Sequence, residues 1–231
     1  MTAVHLLISQ MRCFFRCHRR PHGLPLGLSL AWFAISGSTG TAQSVCLPAP
    51  RLLTTMPMGG QAGSDVELTI TGDSIDGATE LLFSDPRITA KAKLDAEAKP
   101  IPLHYEVAIA ADCPPGIYEA RVLTPLGLSA SRIFSVGTLD ESVQLDPSSA
   151  SESAMPIAMN SVCNAVMSAR AVNHYRFQAK QGQRVMVDCA AGGIDSKLNP
   201  VVIVANAQGQ DLAAERRGDL LDFTAPSDGD Y

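Results

Sequence analysis

The sequence predicts an all-β protein built as two β-sandwich modules in series. Three observations carry this. Apolar and polar residues alternate with period two in many short runs. Gly- and Pro-containing turn signals separate these runs every ten or so residues. No stretch carries the 3.6-residue apolar period of a long amphipathic helix.

The elements follow in order. Residues 1–42 hold Arg12, Arg16, Arg19 and Arg20, no acidic residue, and then the apolar and small run "LPLGLSLAWFAISGSTGTA". A basic start, a short apolar core and a small-x-small exit describe a secretory signal peptide, with cleavage expected after Ala42. Met11 directly precedes the basic cluster and is an alternative start to Met1. The apolar run is shorter than the roughly 20 residues of a membrane span and is broken by Gly, Pro and Ser. No transmembrane span is therefore expected after cleavage. Removing four arginines and no acid takes the net charge from −5 to −9. With no basic cluster beyond Arg216-Arg217, nucleic acid is not an expected partner.

Residues 46–137 form the first expected module. In "DVELTITG", Val66, Leu68 and Ile70 share a face; in "PLHYEVAIA", Tyr105, Val107 and Ile109 do. "IYEARVLT" places Tyr118, Ala120, Val122 and Thr124 opposite Ile117, Glu119, Arg121 and Leu123. Pro114-Pro115-Gly116 and "PLG" are turns, and "SRIFSVG" closes the set. Residues 138–155, "TLDESVQLDPSSASESAM" within a Ser-, Asp- and Glu-rich stretch, lack a sustained period and are expected to be a linker. Residues 156–231 form the second module. In "HYRFQA", Tyr175, Phe177 and Ala179 alternate with polar partners; in "RVMVDC", Val185, Val187 and Cys189 share a face. The continuous apolar run "PVVIVANA" is expected to be a central strand covered on both faces. "SDGDY" is a turn entering a strand.

The opening "PMGGQAGSDVELTITGDSI" and the ending "PPGIYEARVLTPLGLSASRIFSV" resemble the immunoglobulin-like IPT/TIG family over roughly residues 50–137. From about residue 160 onward, "NHYRFQAKQGQRVMVDC", "LNPVVIVANAQGQDLAA" and "DFTAPSDGDY" resemble, in order, the motifs of the bacterial pre-peptidase C-terminal domain family. The first position of that motif is usually acidic and is Asn173 here. The resemblance implies a jelly-roll-like sandwich appended to exported proteins, serving export or surface attachment. It also implies one more strand after Tyr231, so the second module is expected to lack its last strand.

Few residues offer chemistry. After leader removal Cys46, Cys113, Cys163 and Cys189 remain, an even number in an exported chain, which suggests disulfides. Of three pairings, Cys163–Cys189 closes the shortest loop within one module, leaving Cys46–Cys113 in the other. His104 and His174 sit in strand-like runs, and no G-x-S-x-G, H-E-x-x-H or P-loop occurs. No cofactor is expected. Calcium is the candidate cation, with Asp228 and Asp230 sharing one turn and Asp195 in the "GIDSKLNP" loop. The expectation is an exported, non-catalytic binding or accessory protein whose partner is a cell-surface or extracellular polymer or protein. The alternative is a truncated piece of a longer secreted peptidase or surface protein. Oligomeric state does not follow from the sequence.

Overall fold

Alternation in the first module builds two facing sheets. The computed structural model describes residues 2–9, 47–217 and 220–231. The basic cluster, Met11, the cut after Ala42 and Cys46 lie outside the described residues. Within the expected leader, residues 2–9 form strand β1 (Thr2–Ser9). The first module holds β2 (Arg51–Met56), β3 (Gly59–Gln61), β4 (Asp65–Asp73), β5 (Glu80–Phe83), β6 (Ile88–Leu94), β7 (Pro100–Ile109), β8 (Gly116–Thr124), β9 (Gly127–Leu128) and β10 (Arg132–Gly137). One sheet has the order β2-β4-β7-β6, the other β3-β10-β8-β5, with β9 also paired to β8.

Leu68, Ile70, Tyr105, Val107 and Ile109 from the first sheet meet Leu81, Ala120, Val122, Phe134 and Val136 from the second. In the first sheet these are the faces that the period-two pattern selects. Phe134 is fully buried and meets Phe83 edge-on, with ring centroids 4.9 Å apart. Burying each large apolar side chain contributes about 1.5–3 kcal/mol. β3 runs parallel to β10 at such close range that a Cβ on Gly59 would lie 2.2 Å from the Ser135 carbonyl oxygen. Only glycine fits that approach.

The second module contains β11 (Asp140–Gln144), β12 (Met155–Pro156), β13 (Ser161–Val166), β14 (Tyr175–Arg176), β15 (Gln178–Ala179), β16 (Arg184–Ala190), β17 (Val202–Ala205), β18 (Asp211–Glu215), β19 (Leu221–Thr224) and β20 (Gly229–Asp230). Its main sheet has the order β11-β13-β1-β16-β19. The first three pairings are parallel and the last is antiparallel. The pairs β12-β14, β15-β20 and β17-β18 supply the opposing layer. Between them lies a core of Cys163, Val185, Val187, Cys189, Val204 and Phe223. The structure is thus all-β and sandwich-like throughout, as the alternation predicts.

Both modules use one tyrosine device. In "PPGIY" the Tyr118 hydroxyl donates to the Pro114 carbonyl at 2.7 Å; in "SDGDY" the Tyr231 hydroxyl donates to the Ser227 carbonyl at 2.7 Å. Each closes a turn by reaching back four residues, as a tyrosine corner does. Tyr231 also exchanges two backbone hydrogen bonds with Phe177 and stacks on its ring. The chain therefore enters a strand at "SDGDY", as expected.

Three expectations differ from the structure. The stretch 138–155 is more than a connector: it carries β11 and a 3-10 turn at Ser151–Ser153. β11 pairs with β13, so long-range pairing gives Ser- and Glu-rich residues a strand conformation that their own preferences do not. "PVVIVANA" is not a central strand. Among the described residues β17 pairs with β18 alone, and Val201 and Ile203 are about half exposed. The strand covered on both faces is β13. Cys163 points into the sandwich core, while Val162 packs with Met58, Ile133 and Ile194 against the first module. Finally, Cys163 and Cys189 are free buried thiols rather than a bridge. Both pair in register with Leu6, so β1 stands between them. Cys113 is also a free buried thiol, and its expected partner Cys46 lies outside the described residues.

The two modules share polar contacts as well. The buried Asn164 Oδ1 accepts from Met58 N at 3.1 Å, and its Nδ2 donates to Glu141 Oε2 at 2.7 Å. Asp195 sits in the left-handed region at φ 62° and accepts from Ile133 N at 3.0 Å.

Candidate functional site

β11 ends at Gln144, where the chain turns outward through Leu145, which is 83% exposed. Pro147 carries no amide hydrogen and cannot continue the ladder. The chain then closes on itself. The Ser148 hydroxyl donates to the Ser153 carbonyl at 2.6 Å, and the Ser153 hydroxyl donates to the Ala150 carbonyl at 3.0 Å. The 3-10 turn leads into β12. The result is a shallow, open groove whose walls include Gln144, Leu145, Asp146, Ser148, Ser153 and Met155.

Gln144, which lines this groove, belongs to an amide cluster with Asn173. Gln144 Oε1 accepts from the Tyr175 hydroxyl at 2.7 Å and from Asn173 Nδ2 at 3.3 Å. Burial pushes the Tyr175 phenol well above its ordinary range, so it stays a neutral donor. Gln144 Nε2 and Asn173 Oδ1 are both buried without a hydrogen-bond partner. Such groups cost about 1–3 kcal/mol each when unpaired. The groove therefore offers hydroxyls, one side-chain amide, one carboxylate and an exposed leucine. Its chemistry is hydrogen bonding and contact along a surface.

The carboxylates expected as calcium ligands have other tasks. Asp228 Oδ1 accepts from Gln181 N at 2.6 Å, holding two turns together. Asp230 lies exposed in β20, paired with Gln178. Asp195 bonds Ile133 N and lies 3.6 Å from Arg132 Nη1, which ties it to the first module. Among the described residues, no three side chains of His, Cys, Asp or Glu gather to hold a metal ion. His104 and His174 each place Nδ1 on a backbone carbonyl, those of Pro102 at 2.8 Å and Ser148 at 3.1 Å. A carbonyl only accepts, so Nδ1 carries the proton in both.

Sequence reasoning missed Gln144. Its signal is the alternation of Ser142 and Gln144 against Glu141 and Val143, hidden inside a Ser- and acid-rich stretch. It did single out Asn173, the residue that bonds Gln144.

No protein-family model matches the sequence, and no curated protein matches it. Among solved structures it is similar to the Bacteroides ovatus mixed-linkage glucan utilization locus protein SGBP-B in complex with a mixed-linkage heptasaccharide. The TM-score is 0.27 at 11% identity, covering 74% of this chain and 34% of that one. The chain thus spans about a third of that structure's length. A likeness this distant carries no argument about what the protein binds. Among the described residues, no helix is long and apolar enough to cross a membrane.

Proposed function

We propose that this protein is an exported, non-catalytic binding module that seats a cell-surface or extracellular polymer or protein in the groove beside Gln144. The observation that carries the reading is the unpaired amide of Gln144, which lines the groove and bonds Asn173. Gln144 Nε2 lacks an acceptor and Asn173 Oδ1 lacks a donor. A ligand hydroxyl is both donor and acceptor, and a turn of the Gln144 side chain into the groove would let one supply the acceptor that its amide lacks. The leader pattern supports export. The resemblances to the IPT/TIG and pre-peptidase C-terminal domain families support an accessory rather than a catalytic role.

The test uses the full chain against insoluble polysaccharides, peptidoglycan and fibrous matrix protein in pull-downs, followed by titration of the soluble form of whichever is retained. Leu145→Asp and Ser153→Arg change the groove at exposed positions without touching either core. Both are expected to weaken retention at least about tenfold, which is 1.4 kcal/mol. Retention of both variants at the wild-type level, or no retention of the wild type on any of these materials, refutes the reading.

A further inference from the structure

We propose that Cys163 and Cys189 are a disulfide pair held apart by β1, and that they join when Thr2–Ser9 leaves its place in the sheet. Leu6 is in register with Cys163 on β13 and with Cys189 on β16. Both outer strands run parallel to β1, so they run parallel to each other. Neighbouring strands lie about 4.8 Å apart, so two steps place the paired positions about 9.6 Å apart. A disulfide needs Cα atoms roughly 4.4–6.8 Å apart. With β1 seated, the bridge is out of reach. With β1 gone, the backbone groups of β13 and β16 that faced it lose their partners. Those strands satisfy them by pairing with each other. Closing the sheet by one strand brings position 163 beside position 189, one step of about 4.8 Å and inside the disulfide range. Both side chains already face the same core, so neither strand has to turn over.

The surroundings keep the thiols quiet until then. Cys163 is fully buried and Cys189 is 1% exposed. Burial pushes the Cys189 thiol up to about 12 and raises that of Cys163 as well, so the nucleophilic thiolate is scarce at either. Cleavage after Ala42, which the leader pattern predicts, would remove β1 together with the rest of residues 1–42. Export and oxidation would then be coupled by geometry.

The chemistry is thiol–disulfide exchange with a small external disulfide. One cysteine thiolate attacks a sulfur of the oxidant, forming a mixed disulfide and releasing one thiolate. The second cysteine thiolate attacks the mixed disulfide and releases the other. The two protons lost from the cysteines pass to the two departing thiolates, so two thiols become one disulfide while the oxidant is reduced to two thiols.

The test treats the reduced full chain with oxidised glutathione at neutral pH and maps linked peptides by mass spectrometry. Leu6→Pro deletes an amide donor in β1 and displaces the strand. It is expected to form the 163–189 link at least tenfold faster than wild type. Leu6→Val keeps the amide that Leu6→Pro deletes, and is expected to form the link as slowly as wild type. The inference is overturned if wild type and Leu6→Pro form the link at the same rate. It is equally overturned if the two thiols in Leu6→Pro are only capped separately by glutathione, or if Leu6→Val forms the link as fast as Leu6→Pro. None of these outcomes depends on ligand binding at the groove.

Discussion

Asn164→Ala should be among the most damaging single changes in the molecule, and its cost should depend on pH. Asn164 is fully buried between the modules. Truncation leaves the Met58 amide hydrogen without its acceptor and the Glu141 carboxylate without its donor. An orphaned buried amide costs about 1–3 kcal/mol, and a bond to a charged group contributes about 1.5–3 kcal/mol. Together they predict a loss of roughly 3–5 kcal/mol, or about 10 °C in Tm for a chain of this size. Burial raises Glu141 above 4.5, and the Asn164 hydrogen bond opposes that rise. A carboxylate raised on folding binds more protons in the native state, so its contribution falls as pH climbs past its ordinary value. Losing Asn164 raises Glu141 further. The deficit should therefore grow as pH climbs from about 4.5 through the raised range in which Glu141 ionises without its donor. Urea unfolding across this range measures it. A double-mutant cycle with Glu141→Gln should remove the pH-dependent part. A deficit under about 0.5 kcal/mol, or one that is flat with pH, refutes the argument.

Other outcomes follow from the same structure. Tyr231→Phe removes the bond to Ser227 while keeping the ring against Phe177 and Phe223, so it should cost about 0.5–1.5 kcal/mol by chemical denaturation. Asp85 accepts three hydrogen bonds from Arg87, which hold its carboxyl down at about 2. A depressed carboxylate stabilises the fold above its ordinary 3.8, and that contribution is lost as pH falls from 3.8 through about 2. The Asp85 carboxyl carbon should titrate in that acid range by NMR, and at higher pH in Arg87→Ala, which keeps only the backbone hydrogen bond. Residues 156–231 expressed alone lack β11 as well as β1, so one edge of β13 stays open even after it pairs with β16. That fragment should unfold without a cooperative transition and self-associate through open edges, whereas the full chain should not; calorimetry and sedimentation distinguish the two.

Local pattern determined a good deal of this protein. Period-two alternation alone identifies the inward faces of β4, β7, β8 and β16, because one side of each strand meets a core and the other does not. The two G-x-Y turns are equally local: Tyr118 and Tyr231 each reach a carbonyl four residues back, so the sequence carries both ends of the contact. What pattern could not supply is which strands become neighbours. β11 is a strand because β13 lies beside it, although its own residues read as a linker. "PVVIVANA" looks fit for a sheet centre, yet among the described residues β17 has only β18 for a partner, while the more polar "SVCNAV" is enclosed on both faces. Asp195 reads as a loop ligand and instead bonds the amide of Ile133, 62 residues away in the chain. The free thiols follow the same rule. Spacing in sequence puts Cys163 and Cys189 in one short loop, and tertiary structure puts a strand from the other end of the chain between them. Alternation reports on one strand and the faces beside it, whereas contacts between residues like 6 and 163 depend on how the whole chain closes.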